Sequence, residues 1–292
     1  MSLVPLRRAL GRLRRKVHVR LVGNDVSFTI NSKNRKYHAK AQGVWAAAPR
    51  PPLSASVSAW ANQLERDGYV QFSPEGAKSA FFEALNAEVE RHFAEPASSI
   101  TPIDGAIRLK DGVNRVSAIC DVINSDISQT VEAYFKSHFK VYWAQIYRTV
   151  PSPHSPDASF LWHVDNAPPH VMKLMVYLTD TSKESGALRL KPRPFSDQLL
   201  GEGFWDRSNA ARFSSRLNDE STTKVFEGGK GTAILFLNWA CIHRAAHPTV
   251  GYRDVVVFDL IPSIEPWNEH LKRNRRHLSQ RDSDVCPDPA LF

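Results

Sequence analysis

The run Phe160-Leu161-Trp162-His163-Val164-Asp165 is apolar until it closes on a His-x-Asp pair. On an extended strand successive side chains point to opposite faces, so His163 and Asp165 project to one side. One imidazole and one carboxylate on one side make two thirds of the 2-His-1-carboxylate set that holds non-haem Fe(II). A surface turn or a hydrogen-bonded His–Asp couple gives the same three letters. The remainder of the chain has to supply a third ligand.

The 292 residues, 42% of them apolar, are enough to bury a full core. Cys120, Cys241 and Cys286 are widely spaced and odd in number, with neither a zinc-type spacing nor a disulfide framework, which suits a reducing compartment. No apolar run approaches the roughly 20 residues that span a bilayer, so a cytoplasmic protein is expected. The net charge of +8 is concentrated at one end. Residues 1–50 carry twelve Lys and Arg against Asp25 alone, while the rest holds 26 basic and 29 acidic residues. The body therefore gives no electrostatic reason to expect nucleic-acid binding.

Within that basic end, Leu6, Leu10, Leu13 and Val17 recur at helical spacing among arginines. Residues 3–21 thus have the pattern of a basic interfacial helix and are a candidate for peripheral membrane contact, beside the readings of an organellar presequence or a solvated tail. Residues 24–50, polar and then Ala/Pro-rich, read as a linker. The folded body is expected over 51–270, with a charged tail at 271–292. Ser56 is read as the cap of a helix through Arg66, ended by Asp67-Gly68 and followed by the strand 69–72. Pro74 opens a second helix with Phe81, Phe82, Leu85 and Val89 on one side, and a third is expected over 128–138. Strands are expected over 141–148, 160–165, 171–179, 232–239 and 254–261. Helices first and strands afterwards indicate a β core with a helical layer on one face.

The strand 232–239 leads out to His243, where a loop would present the imidazole inward. Ten residues later Arg253 begins Arg253-Asp254-Val255-Val256-Val257-Phe258. An arginine flanking such a strand is costly unless it holds an anion, and a guanidinium binds a carboxylate through two parallel hydrogen bonds. His247 competes with His243 for the ligand role, and the position of His243 directly after the strand favours His243.

His163-x-Asp165, His243 and Arg253, in this order, resemble the 2-oxoglutarate/Fe(II)-dependent dioxygenases, and among these the phytanoyl-CoA dioxygenase-like family. Trp162, the strand 173–180 and Ser185-Gly186-Ala187-Leu188-Arg189-Leu190 agree with the likeness, which spans about residues 54–264. The resemblance implies a mainly β fold with flanking helices, a double-stranded β-helix or cupin-like jelly roll. It implies Fe(II) on His163, Asp165 and His243, with 2-oxoglutarate chelating the metal and its far carboxylate on Arg253. It further implies consumption of O₂, decarboxylation to succinate and oxidation of a C–H bond in a small or carrier-linked substrate.

The chain departs from the family where Ala245 replaces a hydroxyl residue two positions after the second histidine, so another hydroxyl must assist Arg253 or none does. Lys191-Pro192-Arg193-Pro194 replaces the usual Pro-Gly-Ser-His, so phytanoyl-CoA is not the expected substrate. Asp165 is present where halogenating relatives carry a small residue, which favours hydroxylation. Gln145 and Tyr147 share a strand face and are candidates for contact with 2-oxoglutarate. Trp162, Arg189, Lys191 and Arg193 are candidates at the substrate mouth. His154 and His170 read as rim or surface residues, and the long polar stretch 195–226 as a lid. Two other classes use the same residues: a non-catalytic jelly-roll binding module, and a metal hydrolase with the same three ligands.

Overall fold

The computed structural model describes residues 32–50, 52–74, 79–96, 100–103, 106–152, 158–165, 171–275 and 278. The basic segment 3–21, His154, His170 and Cys286 lie outside these residues.

The expected linker contains a helix, α1 (Ser32–Ala47), which docks through buried His38 and Ala41; the His38 ring bonds to the Phe135 carbonyl at 2.8 Å. Next comes α2 (Ala55–Asp67), capped by Ser54 rather than Ser56: the Ser54 hydroxyl accepts from the Val57 amide at 3.1 Å. Gly68 ends α2 at φ 80°, a left-handed conformation that favours glycine. A Cβ there would also lie 2.2 Å from the Cys241 sulfur, so this turn packs directly against the segment leading to His243. Strand β1 (Tyr69–Phe72) follows, then α3 (Ser79–Phe93), with Phe82, Leu85 and Val89 buried along one side. The hairpin β2 (Ile100–Ile103) and β3 (Ala106–Leu109) precedes a short α4 (Gly112–Arg115). Helix α5 (Ser125–Phe135) begins three residues before the expected start because Asn124 caps it, its side chain accepting from the Ile127 amide at 3.0 Å.

The β core comprises β4 (His138–Thr149), β5 (Met172–Tyr177), β6 (Arg189–Leu190), β7 (Lys224–Val225), β8 (Ala233–Phe236), β9 (His243–Arg244) and β10 (Arg253–Ser263). Between β6 and β7 run α6 (Arg193–Gly201) and α7 (Ser214–Leu217), and α8 (Trp267–Asn274) follows β10. Seven strands pair antiparallel in the order β1-β8-β5-β10-β4-β3-β2, and three in the order β7-β6-β9. This is the double-stranded β-helix. The central strands β4, β5, β8 and β10 are buried along nearly their whole length. One face meets the helical layer and the other lines the barrel, which is why these strands read as continuous apolar runs rather than alternating ones.

Two expectations change. Residues 160–165 are not a strand: a 3-10 turn covers Ala158–Phe160, and His163 then forms a single antiparallel bridge with His243. Nor is 195–226 the long irregular loop expected of a lid. It is largely helical, and Leu199, Leu200, Phe204, Phe213 and Leu217 pack on Trp162, Val164 and Ile242. Trp162 and Val164 flank His163 in sequence, so this cover lies on the face of the small sheet away from the imidazoles.

Candidate metal centre

His163, Asp165 and His243 converge, each offering one ligand atom, with all three atoms within 4.8 Å of one another. Asp165 Oδ1 lies 3.4 Å from His163 Nε2 and 3.8 Å from His243 Nε2. The Nδ1 of His163 meets the Leu161 carbonyl at 2.8 Å, and the Nδ1 of His243 meets the Cys241 carbonyl at 2.9 Å. A carbonyl only accepts, so Nδ1 carries the proton in both rings and each Nε2 presents a lone pair to the shared space. Burial, and then His163, push His243 down from 6.5 to about 3, which keeps it a neutral, ligand-ready imidazole.

The other Asp165 oxygen is held from behind. Lys173 Nζ donates to Oδ2 at 2.5 Å and Asn238 Nδ2 at 2.9 Å, while the Asp165 amide donates to the Asn238 carbonyl at 2.9 Å. Burial, the largest single influence, opposes ionisation of Asp165, but the Lys173 charge acting together with His163 and His243 outweighs it and holds the carboxyl well below its usual range. Asp259, opposite Lys173 in the β5–β10 register, is pushed up to about 6 by burial, with Lys173 opposing. Lys173 and Asn238 were not singled out from the sequence. The available signal was a lysine at an inward position of the apolar strand Met172-Lys173-Leu174-Met175.

Arg253 is 3% exposed, and its register partner is Thr149. Its Nη1 donates to the Gly186 carbonyl and its Nη2 to the Thr149 hydroxyl at 3.3 Å, while Nε is buried without a partner. It has no ion pair among the described residues. The next residue, Asp254, points the other way and accepts two bonds from Arg148, at 2.8 and 2.7 Å. Gly186, at φ 92°, turns its carbonyl toward Arg253 where a Cβ would meet the Ala246 carbonyl at 2.6 Å. Gln145 and Tyr147 pair with Val257 and Val255 and so share the inner face with Arg253, and Gln145 Oε1 accepts from Arg108 at 3.4 Å.

Of the residues expected at a substrate mouth, Lys191 and Arg193 are engaged elsewhere. Lys191 is fully buried, and its ammonium meets the carbonyls of Arg216 (3.2 Å) and Asp219 (2.7 Å) and the hydroxyls of Thr222 and Thr223 (both 2.8 Å); it fastens the cover and lines no mouth. Arg193 is drawn to α2, bonding the Glu65 carbonyl at 2.9 Å, because the helical turn at Pro192 redirects the chain. Trp162 packs under the cover, 5% exposed, and Arg189 pairs with Glu220 at 3.1 Å. His247 stacks on Phe160, ring centroids 3.7 Å apart, and takes no part in the cluster.

No protein-family model matches the sequence, and no curated protein matches it. Solved structures do match. The non-haem α-ketoglutarate-dependent epimerase SnoN from nogalamycin biosynthesis aligns with a TM-score of 0.53 at 13% identity, over 71% of this chain and 84% of that one. EctD from S. alaskensis with bound Fe aligns at 0.53 and 15% identity, over 75% and 82%. HygX from Streptomyces hygroscopicus, with nickel and 2-oxoglutarate bound, aligns at 0.51 and 16% identity, over 74% and 89%. At these identities the likeness is one of fold: the chain shares its jelly roll with Fe/2-oxoglutarate enzymes. Among its described residues no helix is long and apolar enough to cross a membrane.

Proposed function

We propose that the protein is an Fe(II)/2-oxoglutarate-dependent dioxygenase that hydroxylates a C–H bond of a small or carrier-linked metabolite. The observation that carries this reading is Arg253, a buried guanidinium without a carboxylate partner among the described residues, on the inner wall of a barrel that also holds a His/Asp/His cluster. A buried cation costs several kcal/mol in order-of-magnitude terms unless an anion meets it. A dicarboxylate cofactor would give Arg253 the carboxylate it lacks while its other end met a metal held by His163, Asp165 and His243.

The residues present fit the implied group. Two neutral imidazoles and one carboxylate suit a divalent iron and leave positions for a chelate and O₂. Bound Fe(II) and 2-oxoglutarate would supply the oxidative decarboxylation to succinate and CO₂ that drives substrate oxidation. The chain's own part is positional. His163 and His243 aim their Nε2 atoms through backbone-held tautomers, and Asp165 offers Oδ1 while Lys173 and Asn238 occupy Oδ2. Thr149 supplies beside Arg253 the hydroxyl that Ala245 cannot. Gln145 and Tyr147 are assigned to the co-substrate wall. The intact Asp165 supports hydroxylation over halogenation, and the sequence motifs support a place near the phytanoyl-CoA dioxygenase-like enzymes.

Anaerobic titration of the apo-protein with Fe(II) and 2-oxoglutarate tests the reading. A visible charge-transfer band is expected, absent in His243→Ala and weakened in Arg253→Ala. A folded protein that gives no band overturns it.

A further inference from the structure

His243 faces the barrel interior, so Arg244 stands on the outer face of the small sheet. Strand register sets it directly opposite Arg189. The His163–His243 bridge brings Trp162 to its other side, with the Arg244 Cζ 4.6 Å from the indole ring. Like charges directly opposite on neighbouring strands repel. The one carboxylate paired with either arginine among the described residues is Glu220, which is 3.1 Å from Arg189 and also 3.6 Å from Lys183. The Arg244 guanidinium is partly buried and has no hydrogen bond or ion pair among the described residues; its Nε, like that of Arg189, is buried and unmet. Such donors are costly to leave without an acceptor, and two guanidinium forks beside an aromatic face match an oxyanion group.

We propose that Arg189 and Arg244 form a second anion site, separate from Arg253, which takes the phosphate or carboxylate group of a small ligand lying beside Trp162. An anion there ties together the two chain segments that carry the imidazoles, since Trp162 precedes His163 and Arg244 follows His243.

Thermal melting of the full-length apo-protein tests this, with inorganic phosphate, phenyl phosphate or acetate compared against sodium chloride at equal ionic strength. At least one oxyanion should raise Tm over chloride, by about 3 °C at ten times its Kd. Acetate against phosphate separates the two head groups, and phenyl phosphate against inorganic phosphate separates a ligand-borne group from a free ion. The rise should vanish in Arg244→Gln and persist in Arg253→Gln. Without added anion, Arg244→Gln should melt no lower than the parent, because it removes an unpaired cation. The inference is overturned if none of the three anions acts, if Arg244→Gln responds as the parent does, if only Arg253→Gln loses the response, or if Arg244→Gln melts lower without anion.

Discussion

At Asp165 the two carboxylate oxygens have different neighbours: Oδ1 faces two imidazoles, and Oδ2 is held by Lys173 and Asn238. Groups that orient a ligand in this way typically change metal affinity by about 10–100-fold when removed. Asn238→Ala should therefore weaken Co(II) binding about 10-fold, read by competition with a chromophoric chelator. Lys173→Met leaves the Asp165 carboxylate without its cation. The apo-protein should lose roughly 2–3 kcal/mol in urea denaturation, and added divalent metal should recover most of it. His243 provides the pH dependence. Its folded value is depressed to about 3 from 6.5, so the unfolded chain binds the extra proton between those values. The stability it contributes is present above pH 6.5 and is lost as pH falls toward 3, at up to about 1.4 kcal/mol per pH unit. The apo Tm of His243→Gln should fall less steeply over that window. The metal-cluster residues and Arg253 were legible in the sequence because His163 and Asp165 close an apolar run, His243 follows another, and Arg253 opens an apolar strand. Lys173, Asn238 and Arg244 were not, since their roles depend on which residue faces them across the sheets.

At the level of elements, caps explain where the sequence reading slipped. Ser54 and Ser56 are equivalent as letters, and only the backbone places Ser54 to accept from Val57. The three-residue shift at α5 has the same origin in Asn124. Residues 160–165 looked like a strand because they are apolar, yet their burial comes from the helical cover packing on Trp162 and Val164 rather than from a sheet ladder. The lysine at 191 reads from the sequence as a substrate-mouth residue and is the fastening of that cover. Replacing it by Met would strip a donor from two carbonyls and two hydroxyls. Lys191→Met should speed amide exchange across residues 216–223 and lower stability by about 2–3 kcal/mol. If exchange rises uniformly over the whole chain instead, the fastening is not local. Gly68→Ala should be worse tolerated than its small size suggests, since it combines a left-handed φ with a clash at Cys241.

For the whole molecule, the large sheet was readable as a set of buried strands, whereas its order β1-β8-β5-β10-β4-β3-β2 was not, because pairing between distant strands leaves no local trace. The expected linker is a helix for a related reason: the apolar residues of α1 form no marked stripe, and its docking draws on His38 and Gln42 reaching the Phe135 carbonyl, at 2.8 and 3.1 Å, beside buried Ala41. The cluster draws one ligand from β9 and two from the segment bridged to it, so metal binding should stabilise the folded chain as a whole. At 1,000 times Kd the gain is about 4 kcal/mol, and a chelator should reverse it. A Tm indifferent to Fe(II), Co(II) and chelator would mean that the three donors do not act as one site.

Each imidazole is aimed by the carbonyl two residues before it in its own chain segment, Leu161 for His163 and Cys241 for His243. The aiming atoms belong to the main chain, so no particular neighbouring side chain has to be inherited for the rings to point correctly. Substitution at Leu161 or Cys241 leaves the acceptor in place. A centre built this way tolerates wide drift in the residues around it, and a barrel can then change its cover, its mouth and its partners over long divergence while the ligand geometry is passed on intact.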